Sequence, residues 1–181
     1  MVAIVSKALN TLAVLAICGV LLFAFYWQLA RGELPCPLCL VQRLGLIGAG
    51  LGFALNVRFG SSESHYGVVI VSALVGGAAA VRQILLHIVP DTGSYGSAFY
   101  GWHFYTWSLV GFVVILAVAG LLLFIEAQFV EGTHDLRPSM LAQGMGWLFV
   151  AIALANAVST LLECGFGACP DNPTEYELLR K

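Results

Sequence analysis

Five long apolar segments, separated by short polar stretches, set the pattern of this chain. A membrane span needs about 20 apolar residues to cross about 30 Å of hydrocarbon. The predicted spans are residues 9–29, 37–57, 66–89, 106–129 and 140–161. The fifth is the weakest, because it contains Gln143, Asn156 and Ser159. The pattern therefore predicts an all-α membrane protein.

Composition supports this fold class. The chain is 60% hydrophobic and only 10% charged, whereas a soluble domain normally carries about 25% charged residues. The net charge of −2 argues against a nucleic-acid partner. Residues 1–10 have neither a basic n-region nor a cleavage site, and the apolar run that follows is too long for a signal peptide. We therefore expect this run to be retained as the first helix.

The segments between the spans differ in character. Residues 58–65 and 131–139 are polar turns, whereas residues 90–105 are aromatic, as suits a segment in the headgroup region. An odd number of spans places the two chain ends on opposite sides of the membrane. The link before residue 37, the aromatic loop and a tail at 162–181 therefore share one face. We predict one integral membrane domain, whose orientation the Lys/Arg distribution does not decide.

A Cys-x-x-Cys pair, Cys36 and Cys39, lies where the second span begins. Unpaired backbone N–H groups and the helix dipole favour a thiolate in the first turn of a helix, where Cys39 is expected. Arg43 follows one turn later and can hold an anion or polarise a carbonyl. Disulfides persist only in an oxidising compartment, so this chemistry favours the periplasmic side.

The remaining cysteines leave several interpretations open. Cys18 lies in the middle of the first span and is expected to be a small lipid-facing or packing residue. Cys36, Cys39, Cys164 and Cys169 all fall on one face. They can form a redox-active pair, structural disulfides, or a four-cysteine site for zinc or an iron–sulfur cluster.

The run from Cys36 to Arg43, Cys-Pro-Leu-Cys-Leu-Val-Gln-Arg, resembles the Cys-x-x-Cys-x-x-x-Arg motif of the disulfide-bond formation protein B (DsbB) family. Weaker similarity at residues 80–83, 87 and 107–108 extends it over about residues 13–124. The resemblance implies a four-helix transmembrane bundle of DsbB type, to which this chain adds a fifth helix. It also implies a bacterial inner-membrane enzyme that takes electrons from a periplasmic, DsbA-like thioredoxin-fold thiol oxidase. The acceptor is a membrane quinone, either ubiquinone or menaquinone.

Site residues follow from the same resemblance. Cys36 and Cys39 are implied to be the redox pair beside the quinone, with Cys39 as the thiolate nearest to it. Arg43 is implied to interact with the quinone carbonyl. Arg82 and His87, late in the third span, are candidate cofactor-binding residues near the same face. His87 can line the quinone pocket, relay protons, or be an interfacial histidine with no catalytic task.

The chain departs from the family in its second cysteine pair. Well-known members carry that pair in the loop between spans three and four, but residues 90–105 contain no cysteine. They also have four spans, whereas this chain has five. We hypothesise that Cys164 and Cys169, returned to the active face by the fifth span, form the shuttle disulfide instead. The alternative is a structural clip on a short loop.

The leading prediction is a thiol:quinone oxidoreductase that supports disulfide bond formation. One alternative is a quinone reductase of the vitamin K epoxide reductase type. That type carries its redox pair late in the bundle, so the position of Cys36 and Cys39 disfavours it. Another is a non-catalytic membrane subunit with structural disulfides or a four-cysteine metal site.

Overall fold

The computed structural model describes residues 2–89, 93–129 and 140–180. These residues contain five long helices: α1 (Val2–Arg31), α2 (Pro37–Phe59), α3 (Glu63–Leu86), α4 (Phe104–Phe129) and α5 (Met140–Cys164). All five are long and apolar enough to cross a membrane. The predicted all-α membrane fold is therefore confirmed. The polar turn predicted at 131–139 lies outside the described residues.

The first four helices form a bundle, to which α5 is added on one side. α2 packs against α1 and α3, and α3 packs against α4. α5 lies against α1 and α2. The largest fully buried apolar side chains are Leu21, Phe53, Tyr66, Phe112 and Leu122. Many Leu, Val and Ile side chains remain exposed on the outer faces of the helices, as is expected of surfaces that face lipid.

Glycines bring the backbones of α2 and α3 into contact. A Cβ placed on Gly45 would lie 2.8 Å from the Cα of Gly76. One placed on Gly52 would lie 2.6 Å from the carbonyl oxygen of His65. No side chain fits at either position, and small residues of this kind are what allow membrane helices to approach closely. This contact fixes α2, the helix that carries Cys39 and Arg43.

The loop between α3 and α4 contains a hairpin that the sequence pattern did not predict. Strands β1 (Ala98–Phe99) and β2 (Trp102–His103) are antiparallel, and Phe99 pairs with Trp102. The turn residues Tyr100 and Gly101 have φ values of 49° and 82°. Positive φ at both positions is the requirement of a type I′ turn. Two-residue strands are too short to produce a hydrophobic period.

Aromatic rings fix this loop over the end of α1. The Phe99 ring lies edge-on to Phe23, with centroids 5.4 Å apart. The Phe104 ring packs against Trp27 at 5.1 Å. Edge-to-face pairs contribute about 0.5–1.5 kcal/mol beyond the area they bury. The aromatic loop is therefore anchored to the bundle near the link that leads to Cys36.

Two polar side chains add to this anchor. Glu33, in the link between α1 and α2, accepts hydrogen bonds from the Ser97 backbone N–H at 3.0 Å, the Ser97 hydroxyl and the Trp27 indole at 3.3 Å. Partial burial would raise the pKa of Glu33, but these bonds and the charge of Arg31 outweigh it and lower the pKa. The Tyr95 hydroxyl donates to the Leu34 carbonyl at 2.8 Å.

Candidate redox site and adjoining cavity

A disulfide between Cys36 and Cys39 lies at the start of α2. Pro37 is the first helical residue, a position where the missing N–H is no loss and the fixed φ suits the helix. Cys36 caps the helix: its Sγ accepts the Cys39 N–H at 3.1 Å, and its carbonyl accepts the Leu40 N–H at 2.9 Å. The helix N-terminus therefore stabilises negative charge on sulfur whenever the pair is reduced.

One buried glutamine, Gln83, contacts this disulfide, and a second, Gln42, orients the first; the sequence did not identify either as part of the site. The Gln83 amide donates to Cys36 Sγ at 3.2 Å and lies 3.5 Å from Cys39 Sγ. The Gln42 amide donates to Gln83 Oε1 at 2.7 Å, which turns the Gln83 nitrogen toward the sulfurs. Both side chains are buried within apolar spans. A buried amide is costly without hydrogen-bond partners. The placement of these glutamines inside apolar spans was therefore the signal that could have identified them.

We expect Gln83→Met to slow the alkylation of reduced Cys36 by roughly tenfold, because an N–H bond to a charged group contributes about 1.5–3 kcal/mol. Methionine is similar in size but has no N–H to donate to a thiolate. Iodoacetamide labelling followed by mass spectrometry of the Cys36 peptide measures the rate. Leu86→Met, at an exposed position on the same helix, is the control and should react like the unmodified protein. An unchanged rate in Gln83→Met would contradict the assignment.

Arg43 lies one turn beyond Cys39 and is held by α1. Its Nη1 donates to Gln28 Oε1 at 2.7 Å, and its Nη2 donates to the Ala24 carbonyl at 3.3 Å. The guanidinium also lies over the Phe25 ring, 5.4 Å from its centroid. The hydrogen bonds found among the described residues use two of its five N–H groups. The cation is fixed in place and retains donor capacity.

Gln28 connects Arg43 to α5 and to the tail. This buried amide donates to Ser159 Oγ at 3.1 Å and to the Tyr176 hydroxyl at 2.8 Å. Its oxygen accepts from Arg43. One side chain therefore joins α1, α2, α5 and the tail at the same level of the bundle.

A cavity of about 680 Å³ lies between α2 and α5. Its walls are mostly apolar and are formed by Pro37, Leu40, Val41, Arg43, Leu44, Ile47, Ala153, Asn156, Ala157, Thr160, Ala168, Cys169 and Asp171. Small-molecule sites typically have volumes of about 300–1,000 Å³ and apolar walls with a few polar groups. The polar residues that line this cavity include Arg43 and Asn156. The cavity can therefore hold an apolar molecule that presents a hydrogen-bond acceptor.

A second disulfide joins Cys164 and Cys169. Cys164 was predicted to lie in the tail, but α5 extends to include it, and Gly165 ends the helix with a φ of 63°. Cys164 is buried, whereas Cys169 is partly exposed and lines the cavity. Pro37, which follows Cys36, lines the same cavity. The four cysteines are therefore at one end of the bundle, as counting the spans predicts.

The other two candidate residues lie on α3. Arg82 is exposed, and His87 is the C-cap of the helix rather than part of the span. The His87 ring stacks on Tyr105 with centroids 5.7 Å apart. Its Nδ1 is buried and has no hydrogen-bond partner among the described residues. Neither Arg82 nor His87 lines the cavity between α2 and α5, so their binding of a cofactor stays a prediction.

The described residues do not assemble a metal site. Within 2–89, 93–129 and 140–180, no group of three or more His, Cys, Asp or Glu side chains is placed to hold a metal ion. The four cysteines outside α1 form two separate disulfides. The four-cysteine metal site, which the sequence left open, therefore has no support in this arrangement.

Comparisons with known proteins converge on one family. The family model for the disulfide bond formation protein DsbB matches residues 6–96, which include Cys36, Cys39, Arg43 and Gln83. The tail disulfide lies outside that match. No solved structure matches the chain.

Curated proteins named disulfide bond formation protein B are similar to part of the chain. One from Pseudomonas syringae pv. tomato is 47% identical over 76 residues, which cover 39% of this chain and 44% of that protein. One from Nitrosomonas eutropha is 40% identical over 81 residues (42% and 50%). One from Hahella chejuensis is 37% identical over 89 residues (47% and 54%). The chain spans about half the length of the curated relatives it matches.

Proposed function

The chain belongs to the disulfide bond formation protein DsbB family, and from that membership we propose that it is a membrane thiol:quinone oxidoreductase. In this proposal it reoxidises a periplasmic, DsbA-like thioredoxin-fold dithiol oxidase and passes the electrons to a membrane quinone. It resides in the bacterial inner membrane with its cysteine face toward the periplasm. The observation that carries the proposal is the apolar cavity lined by Arg43, by Cys169 of the tail disulfide and by Pro37, the residue that follows Cys36.

The residues around the cavity fit a quinone. Leu40, Leu44 and Ile47 provide an apolar wall for a flat ring and its hydrocarbon chain. Arg43 provides N–H groups for a carbonyl oxygen. When bound, a quinone supplies an acceptor for two electrons and two protons.

Arg43 is proposed to stabilise negative charge at the cavity. A donor that is already fixed in position stabilises developing charge without a cost of reorganisation at the moment of reaction. The bonds to Gln28 and to the Ala24 carbonyl provide this fixation. Arg43 lies one helical turn from Cys39, so the same cation favours a thiolate there.

Electrons reach Cys36 and Cys39 through two thiol–disulfide exchanges in this proposal. A thiolate of the partner attacks one sulfur of the Cys164–Cys169 disulfide, and the S–S bond breaks to leave a mixed disulfide and a tail thiolate. The second thiol of the partner then displaces the mixed disulfide, so the partner leaves oxidised. The tail dithiol reduces the Cys36–Cys39 disulfide in the same way, and each exchange transfers two electrons and two protons.

The proposal is tested with purified protein, a reduced thioredoxin-fold dithiol protein and a soluble quinone analogue. We expect one quinone to be reduced for each disulfide formed in the partner, followed by quinone absorbance and thiol titration. Partner oxidation without quinone reduction would exclude the quinone as acceptor. Quinone reduction without partner oxidation would exclude the thioredoxin-fold protein as donor.

We expect the partner to attack Cys169 first, because Cys169 is partly exposed and Cys164 is buried. A partner variant that lacks its resolving cysteine should be trapped as a mixed disulfide with Cys169, as identified by mass spectrometry of the joined peptides. The same mixture prepared with the Cys164→Ser/Cys169→Ser protein is the control and should contain no tail adduct. A partner joined to Cys164 would show that Cys164, and not Cys169, is attacked first. If the double variant turned over at the wild-type rate, the tail disulfide would be a structural clip and not a shuttle.

A further inference from the structure

Glu163 is a fully buried carboxylic acid near the end of α5. Neither of its carboxylate oxygens has a hydrogen-bond partner within the described part of the chain. An unsatisfied buried polar group is destabilising, and a charged one is more so. An ionisable residue that is kept in a membrane-spanning helix at such a cost points to a function.

Glu163 lies one turn of α5 beyond residues that line the cavity. Asn156 and Thr160 line the cavity from α5, and Glu163 follows Thr160 by three residues, which places it one turn further along a neighbouring row of the helix. Glu163 interacts electrostatically with Arg43, which lines the cavity from α2. Glu163 itself is not among the lining residues, so its carboxyl group lies one helical turn beyond the part of α5 that lines the cavity.

Glu163 also interacts electrostatically with Tyr95, in the loop between α3 and α4. Burial raises the pKa of the Tyr95 hydroxyl to about 12, and the carboxylates of Glu163 and Glu33 add to this shift. From the tail, Tyr176 interacts electrostatically with Arg43, and its hydroxyl accepts the Gln28 hydrogen bond. The titratable groups that interact electrostatically with Glu163 thus include Arg43 from α2 and Tyr95 from the loop, and Tyr176 from the tail interacts in turn with Arg43.

The chemistry at the cavity needs a group that can release a proton. Under the proposed function, on which this inference rests, conversion of the Cys36–Cys39 dithiol to a disulfide releases two electrons and two protons, and conversion of a quinone to a quinol takes up both. Arg43 stays protonated and cannot supply either proton. Asp171, the carboxylate that lines the cavity, is exposed to water. Glu163 is a buried acid that interacts electrostatically with Arg43.

We propose that Glu163 carries protons to the cavity beside Arg43. Its protonated carboxyl releases a proton toward the acceptor oxygen, so that one O–H bond breaks at Glu163 and another forms at the acceptor. The Arg43 guanidinium then stabilises the carboxylate that remains. A proton released by the cysteine thiols, or one from water at the loop side, restores the acid.

Glu163→Gln tests this role, because glutamine keeps the shape of the side chain but cannot release a proton. With both cysteine pairs reduced beforehand, we expect single-turnover quinone reduction to fall roughly 100-fold, a typical effect of losing a general acid. The decline of the wild-type rate as rising pH removes the Glu163 proton should also be absent. Glu163→Asp should restore part of the rate. Glu63→Gln, an exposed change at the start of α3, is the matched control and should keep the wild-type rate and pH profile.

Two further measurements distinguish the possible failures. Infrared spectra of the quinone-free protein should show a carboxyl C=O band that disappears with rising pH and is missing in Glu163→Gln. Thiol–disulfide exchange between the tail pair and Cys36–Cys39 should keep its wild-type rate in this variant. If the wild-type protein reduces no quinone, the proposed function fails. If the wild-type protein is active and Glu163→Gln matches its rate and pH profile, the proton-carrying role fails while the proposed function stands. The same conclusion follows if Glu163→Gln also loses thiol–disulfide exchange.

Discussion

Cys39→Ser is expected to reduce quinone reduction to the rate of the protein-free reaction. A serine hydroxyl can neither form the Cys36–Cys39 disulfide nor provide a thiolate at neutral pH, so the electrons have no route from the tail pair to the cavity. The measurement is steady-state loss of quinone absorbance with a reduced thioredoxin-fold dithiol protein as donor. The tail disulfide should still accept electrons from that donor in a single, stoichiometric turnover.

Cys18→Ala provides the matched control for this experiment. Cys18 is a free, buried thiol in α1, and its removal leaves both disulfides intact. We expect this variant to turn over at the wild-type rate. If Cys39→Ser retains turnover, or if Cys18→Ala loses it to the same extent, the Cys-x-x-Cys pair is not the redox centre.

Arg43→Met is expected to lower kcat for quinone reduction by roughly 100-fold, which is typical for the loss of one fixed donor to developing negative charge. Methionine retains much of the volume of the side chain but supplies no charge and no N–H. Arg43→Lys should restore little of the rate, because a single ammonium group cannot reproduce the planar arrangement that reaches Gln28 and the Ala24 carbonyl.

Arg58→Met is the control for the Arg43 variants. Arg58 belongs to the same helix but lies in its last turn, beside the Phe59 ring and far along α2 from the redox pair. It should leave kcat unchanged. Thiol–disulfide exchange between the two cysteine pairs separates the explanations. An Arg43→Met protein that loses exchange as severely as quinone reduction would show that Arg43 maintains the fold rather than the acceptor site.

The helices could be predicted because the thickness of a membrane imposes a length on every apolar segment. α1 runs from Val2 to Arg31, whereas the predicted span covers residues 9–29, because a helix need not stop where the apolar sequence does. α2 begins at Pro37, where the sequence places it. The hairpin from Ala98 to His103 could not be predicted, since it depends on aromatic contacts with α1 that no local pattern encodes.

The candidate site could be predicted only in part. Cys36, Cys39 and Arg43 lie within eight residues of one another, so their spacing alone relates them. Gln28 and Gln83 meet partners that are 131 and 47 residues away in the sequence. Nothing in the chain identifies such partners before the helices are packed. Polar residues inside apolar spans were the available indication, and that indication does not distinguish a redox contact from a structural hydrogen bond.

The dual role of Gln28 has a mechanical consequence. Its amide oxygen accepts from Arg43 while its nitrogen donates to Tyr176. Rotation of the amide by half a turn would turn its N–H groups toward the guanidinium, which can only donate, and break the bond to Arg43. Withdrawal of the tail from the bundle would remove Tyr176 and leave Ser159 as the hydroxyl partner of the Gln28 nitrogen, so the amide that accepts from Arg43 would be less constrained. The docked tail therefore helps to hold the Arg43 guanidinium in its orientation. Undocking of the C-terminal segment would change the hydrogen bonds of Gln28, which contacts Arg43 at the cavity.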